Sequence, residues 1–371
     1  MKRFVFLCLL STLCCASVQA DKKKKPIAEV KPAATEWAKL PQDEQQAITN
    51  YTQDFVRGRG SSQLMLGLRA EAVTDRIAFL HDEAGTKFFL VVREPYTRYV
   101  KERMLAFTIG GRYGSVSQPQ PFMQMVAKYD SILIKMDEGI LPPEASLETT
   151  IPTARITPLL RTIAWRQFGM NGLFEWQTET WLSGCGAVAL GQVMYFYRYP
   201  NEARGTLDYD TDDGHHVSAA LEGTAIDWSR MKDLYKWKDN DSLAIDPLMR
   251  MCGIALHSKY SPKSTLTQMR YFPEALKKTF SYSDSVRILS RGNEAMLVEA
   301  VRQEVGKGRP CILCDNNHIF VADGVLDEFL HFNLGWGGVS NGWFRTLTPT
   351  TELGKGSFLR SGIIGISPKK Q

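Results

Sequence analysis

A polar, proline-bearing stretch between Asp137 and Pro158 most constrains how this chain can fold. It contains Asp137-Glu138-Gly139, Pro142-Pro143 and Ser146-Leu147-Glu148-Thr149-Thr150, and it divides 371 residues into two unequal parts. Such composition reads as a connector, so each flank must supply its own buried elements. The length alone already favours more than one structural unit. Apolar residues at 44% and charged residues at 23% are ordinary for a globular chain and sufficient for a sizeable core.

The first twenty residues stand outside that core. Lys2 and Arg3 precede an apolar run from Phe4 to Ala16, and Val18-Gln19-Ala20 places small residues for cleavage. This pattern predicts a secretory signal removed near Asp21, and hence a secreted, extracellular or periplasmic protein. A lipoprotein signal fits less well, because the residues before Cys14 and Cys15 are not small. The apolar run is too short to span a bilayer and no later segment is long enough, so no membrane span is expected. Loss of the signal leaves four cysteines, Cys185, Cys252, Cys311 and Cys314, too few for a disulfide scaffold. Losing Lys2 and Arg3 lowers the formal charge from +5 to +3, which does not point to nucleic acid. Part of the excess is the Lys22–Lys25 run, read as a solvated tail.

Before the connector, Glu36 to Val56 has helical spacing. Ile77–Leu80 and Phe88–Val92 flank Asp82-Glu83-Ala84-Gly85 as a hairpin, and a further helix is expected around Phe122 to Met136. No residue there has the setting of a nucleophile. Every cysteine left after the signal lies beyond the connector, with most of the tryptophans.

Three stretches in the second part can carry chemistry. In Ser183-Gly184-Cys185-Gly186-Ala187, a turn leads into helical spacing, which puts Cys185 at a helix N-terminus where unpaired N–H groups favour a thiolate. A small buried thiol reads equally from that stretch alone. Asn316-Asn317-His318-Ile319 delivers a histidine from a polar turn onto a strand that Asp323-Gly324 should end; alone it is a structural histidine, beside a cysteine it is a base. In Asn333-Leu334-Gly335-Trp336-Gly337-Gly338, glycines around a tryptophan predict close backbone packing, where a group orienting an imidazole could lie. Cys311-x-x-Cys314 invites metal or redox chemistry, but on a strand its positions face opposite sides. No metal or other cofactor is expected. Cys252 reads as a buried thiol, His215-His216 as solvated, and His257 and His331 have no evident partner.

Together these stretches resemble the streptopain family of papain-like cysteine proteases. The match runs through Cys-x-Ala-x-Ala-x-x-Gln-Val-Met at Cys185–Met194, His-x-Phe-Val-x-Asp-Gly at His318–Gly324 and Gly-Trp-Gly-Gly-Val-Ser-x-Gly at Gly335–Gly342. Pro158-Leu159-Leu160 with Trp165-Arg166-Gln167 fits upstream. The resemblance implies an α+β, papain-like two-lobed fold with a helical lobe and an antiparallel β lobe, preceded by an α+β propeptide. It divides the chain into a signal peptide (1–20), an inhibitory propeptide (21–145) and a catalytic domain (146–371). It implies a secreted cysteine endopeptidase zymogen acting on protein or peptide substrates, with its own propeptide as intramolecular inhibitor. Cys185 is then the nucleophile, His318 the general base and acid, and Gln167 a donor of the oxyanion hole. Asn333, Leu334 and Trp336 fall where the imidazole is oriented; Ser264, Thr265 and Asn317 fall where substrate binds. Leu334 replaces the family's tryptophan, which leaves a protease-like binding module as the alternative.

Overall fold

The computed structural model describes residues 38–59, 67–109, 120–147, 153–170, 172–173, 177, 179–211, 214, 216–235, 242–261, 264–290, 294–315, 317–346 and 359–369. The export segment, the Lys22–Lys25 run, His215 and Asn316 lie outside them.

The first part alternates strands with two helices. In order these are β1 (Ala38–Lys39), α1 (Gln42–Gly58), β2 (Arg69–Ala72), β3 (Ile77–His81), β4 (Lys87–Val92), β5 (Met104–Ile109) and α2 (Gln120–Asp137). The hairpin stands where the sequence placed it, with the Asp82 carboxylate accepting from the Thr86 and Lys87 N–H groups to close the turn. The first helix starts later than its spacing suggested. Pro41 cannot be preceded by helical backbone, so Ala38–Lys39 becomes an edge strand and the helix begins at Gln42.

The second part contains β6 (Arg155–Ile156), β7 (Gly169–Met170), β8 (Trp181–Leu182), α3 (Cys185–Tyr197), β9 (Thr206–Asp210) and β10 (His216–Ala220). There follow α4 (Ser242–Ala255), the single turn α5 (Phe272–Glu274), β11 (Arg287–Leu289), α6 (Glu294–Gly306), β12 (Cys311–Cys314), β13 (Ile319–Leu326), β14 (Phe329–Asn333), β15 (Gly342–Arg345) and β16 (Ser361–Ile364). Among the described residues no helix is long and apolar enough to cross a membrane.

One antiparallel sheet runs through both parts, in the order β1-β2-β3-β4-β5-β15-β14-β13-β12-β16-β11, with β6 also paired to β13. The seam is β5 against β15, where Trp343 faces Phe107 and Phe344 faces Ala106. Alternation along the strands sorts side chains to two faces. In the first part, Phe79, Phe88 and Leu90 pack with α2 while Leu80, Phe89 and Val91 pack with α1. In the second, Cys311, Leu313, Phe320 and Phe332 join the α2 and α6 side, while Ile312, Cys314, Ile319 and Val321 join α3 and α4. Cys311 and Cys314 therefore enter different cores, as strand geometry requires. The core that buries Phe122 and Tyr129 of α2 is the same one that buries Phe332 and Phe344.

β13 does not end at Asp323-Gly324. The ladder to β14 shifts register between Ala322 and Gly324 and continues to Leu326. The bulge frees Asp323 to accept from the Leu160 N–H at 2.9 Å. A Cβ on Gly324 would lie 3.2 Å from the Ile156 carbonyl, so glycine lets β6 cross there. His331 also has a partner that local sequence did not reveal: its Nδ1 lies 2.6 Å from Asp323 Oδ1 in the core.

Candidate active site

Cys185 is the first residue of α3, a 13-residue helix with no acidic residue in its first turn. The turn before it needs glycine, because Gly184 has φ +85° and a Cβ there would lie 2.9 Å from the Thr265 methyl. The remainder of α3 is almost wholly buried, yet Cys185 is only partly covered. A thiol so placed meets the unpaired N–H groups and positive end of the helix. The other thiols differ: burial pushes those of Cys252 and Cys311 well up.

His318 is delivered by a tight turn. Asp315 Oδ1 accepts from the Asn317 and His318 N–H groups, each at 2.7 Å, and the Asp315 N–H donates to the His318 carbonyl at 3.1 Å. The imidazole is 3% exposed. Its Nε2 lies 2.7 Å from the Leu334 carbonyl, and a carbonyl only accepts, so Nε2 carries the proton and Nδ1 is left as the basic nitrogen. Trp336 stacks on the ring with centroids 4.2 Å apart. Burial pushes the His318 pKa down to about 4, while the Leu334 hydrogen bond pulls it up.

The turn at Gly335, which follows the Leu334 carbonyl that holds His318, packs against the Cys185 helix. A Cβ on Gly335, which has φ +69°, would lie 3.0 Å from Val188 Cγ1, one turn into the Cys185 helix. The predicted close backbone packing is thus against α3, although Trp336 itself is only half-buried because its ring covers His318.

Gln167 is held from both sides. Phe168 and Ser183 exchange bonds, Ser183 N–H to the Phe168 carbonyl at 2.8 Å and Phe168 N–H to Ser183 Oγ at 3.0 Å, which sets Gln167 beside the Gly184–Cys185 turn. On the other side Arg166 bridges Trp336, and the Gly337 N–H donates to the Trp165 carbonyl at 2.9 Å.

The remaining candidates differ in what they touch. Asn333 donates from Nδ2 to the Thr162 carbonyl at 3.3 Å and accepts the Gly335 N–H, so its amide reaches the imidazole only through the Leu334–Gly335 peptide. Thr265 donates to the Leu182 carbonyl at 2.6 Å, at the foot of the Cys185 turn, and the Ser264 N–H donates to Ser261 Oγ at 2.9 Å. Asn317 donates from Nδ2 to Gln124 Oε1 of α2 at 2.8 Å, joining the histidine turn to the first part.

Sequence reading passed over Asp315 and Asn341. Asp315 carried a usable signal, an acidic residue two and three positions before the amides it receives; Asn341 carried none. Nor did it find that His257 stacks between Tyr209 at 3.9 Å and Tyr271 at 4.3 Å. His216 is exposed beside Asp210, whose hydrogen bond raises its pKa.

A cysteine heading a buried helix, with a histidine in the turn that opens a strand of an antiparallel sheet, fits a papain-like α+β fold. The same architecture occurs in a solved fragment of Prevotella intermedia prointerpain A, which aligns over 82% of this chain and 99% of that one with a TM-score of 0.67 and 21% identity. Residues 165–344 match the Peptidase C10 family. The thiol protease/hemagglutinin PrtT of Porphyromonas gingivalis is 26% identical over 99% of this chain and 44% of its own length. Streptopain of Streptococcus pyogenes serotype M1 is 30% identical over 50% of this chain and 52% of its own. The chain thus spans about half the length of the curated relatives it matches. Over residues 165–344 the chain is similar to the streptopain-type cysteine peptidases.

Proposed function

We propose that the protein is an exported cysteine endopeptidase made as a zymogen, in which residues 21 to about 145 are an inhibitory propeptide. The observation that supports the reading is the orientation of His318, whose Nε2 is committed to the Leu334 carbonyl and whose Nδ1 is left basic, in a chain whose Cys185 starts α3 with its thiol only partly covered. Proton transfer from the thiol to Nδ1 gives a thiolate–imidazolium pair, the reactive form near neutral pH. The thiolate adds to the scissile carbonyl carbon. The resulting oxyanion is received by the Cys185 N–H and the Gln167 amide, and losing one such donor costs about 3–4 kcal/mol of barrier. The tetrahedral species collapses with cleavage of the C–N bond as the imidazolium protonates the leaving amine. Water, deprotonated by His318, then hydrolyses the thioester and restores the thiol.

The zymogen reading rests on the shared sheet, the common core of α2 with Phe332 and Phe344, and the Gln124–Asn317 bond beside the histidine. A binding module without activity is less favoured, since the imidazole is oriented by a backbone carbonyl that any residue at 334 supplies. Expression of the full chain tests both readings. The wild type should shorten to a product beginning near residue 146 and hydrolyse casein, while Cys185→Ala stays full length and inert. A wild type that neither shortens nor cleaves casein contradicts the proposal.

A further inference from the structure

Leu334 is bracketed by two asparagines that each make the same pair of bonds. Asn341 Oδ1 accepts the Leu334 N–H at 2.8 Å, and its Nδ2 donates to the Ile163 carbonyl at 3.1 Å. Asn333 Oδ1 accepts the Gly335 N–H at 3.2 Å, and its Nδ2 donates to the Thr162 carbonyl at 3.3 Å. The peptide units on both sides of Leu334 are therefore fixed by side-chain carbonyls. Both amide groups reach back to consecutive carbonyls of the segment that leads, four or five residues on, to Gln167. Gln192 of α3 closes the circle, its Nε2 donating to the Thr162 carbonyl at 3.0 Å and to Asn333 Oδ1 at 3.1 Å. All three amides are 5% exposed or less, so each lost bond would strand a polar group away from water.

We infer that Asn341 is a positioning residue for the reaction: it fixes the Asn333–Leu334 peptide, and with it the start of the next peptide, whose carbonyl orients His318, and through Ile163 it sets the segment bearing Gln167. The imidazole and the oxyanion donor are in this way referenced to one rigid frame, and an asparagine acts on the histidine at one peptide's remove. Removing the amide frees the Leu334 N–H and the Ile163 carbonyl together and leaves Asn333 as the one side chain holding the turn to this segment. Orientation errors of this kind act on the chemical step more than on substrate binding.

The inference rests on the Cys185–His318 reading, and its test has two parts. In the first, wild type and Asn341→Ala are expressed as full chains, processed in trans by tagged wild-type enzyme that is then removed, and assayed on a peptide substrate. Asn341→Ala should lower kcat about 10- to 100-fold with KM within about two-fold of wild type. Because the Leu334 bond favours the protonated ring, the alkaline limb of the kcat/KM profile should move to lower pH. An unchanged kcat and alkaline limb overturn the inference.

In the second, ¹⁵N-histidine spectra of full chains in the Cys185→Ala background read the His318 ring directly. The parent should show the neutral Nε2–H form with that proton protected from exchange, and Asn341→Ala should lose the protection. If Asn341→Ala does not fold, Asn341→Asp, which keeps the acceptor for the Leu334 N–H, decides: a retained protected Nε2–H supports the inference and its loss overturns it. Casein hydrolysis by Cys185→Ala itself would instead overturn the underlying catalytic reading, and the ring spectra would still judge Asn341.

Discussion

At the level of single residues, the site depends on where one proton sits. His318 is buried with its titration pushed down to about 4, so in the full chain burial favours the neutral ring at pH 6–8. The first part reaches the histidine turn through α2, whose Gln124 accepts from Asn317, the residue before the histidine. A carbon- or nitrogen-detected titration of the Cys185→Ala chain should place the His318 midpoint near 4. Cleaving the connector and removing the first part should move it upward, and identical midpoints before and after removal would deny the first part this role. Gly335 gives a second residue-scale expectation. Alanine there meets both the φ of +69° and Val188 Cγ1 at 3.0 Å, so Gly335→Ala should cost at least about 1 kcal/mol of stability and displace Trp336 from His318. A melting temperature and casein rate equal to wild type would contradict this.

Much at this scale was legible in the sequence and some was not. Cys185 announced itself because a helix N-terminus is a local pattern: a glycine turn, then apolar residues at 3.6 spacing. His318 was legible by type and turn. Its partner was not, because a backbone carbonyl carries no residue signature, and the side chain at 334 gave only the missing tryptophan. His331 and Asp323 escaped notice for a related reason: they pair across a bulged ladder, and bulges follow from tertiary fit.

At the level of elements, the informative junction is the seam between β5 and β15. Neither seam strand was read from the sequence, and their pairing links residues more than two hundred positions apart, which no periodicity encodes. Just past the seam, Arg345 is 1% exposed and its guanidinium donates to the Glu102 carbonyl at 2.8 Å and to the Glu144 carboxylate at 2.7 Å. Tyr129 of α2 donates to the Arg345 carbonyl at 2.7 Å. Every one of these partners lies before residue 145. Glu144→Ala leaves the guanidinium buried without its counter-charge and should destabilise the full chain by about 3–5 kcal/mol, whereas Arg345→Met, which removes the buried charge itself, should cost markedly less. Chemical denaturation of the two variants checks the order; equal losses would show that the ion pair is not what holds this junction.

At the level of the whole molecule, pH couples the histidine to stability. The His318 pKa is about 6.5 when unfolded and about 4 when folded. The unfolded chain therefore binds more protons between those values, and stability is full above about pH 6.5 and falls by up to about 1.4 kcal/mol per unit as the pH drops toward 4. Asp315, whose pKa burial raises, acts in the opposite sense in the carboxylate range. The difference between wild type and His318→Gln isolates the histidine: the wild-type curve should fall more steeply over this window, and parallel curves would refute the assignment. Any state that uncovers the ring gains from the same proton, so mild acid should also favour release of the first part. Since α2 shares a core with Phe332 and Phe344, cutting the connector alone should leave the pieces associated on gel filtration at neutral pH.

Of the four cysteines among the described residues, Cys185 is the proposed nucleophile, activated by a helix terminus and a histidine. Burial raises Cys252 and Cys311, and Cys314 is buried with its thiol 3.0 Å from the Asp315 carbonyl. Alkylation by iodoacetamide near pH 6, read by peptide mass spectrometry on the processed protein, should modify Cys185 ahead of Cys252, Cys311 and Cys314, and His318→Ala should abolish that preference. Modification spread evenly over the cysteines, or a preference that survives loss of His318, would contradict the account.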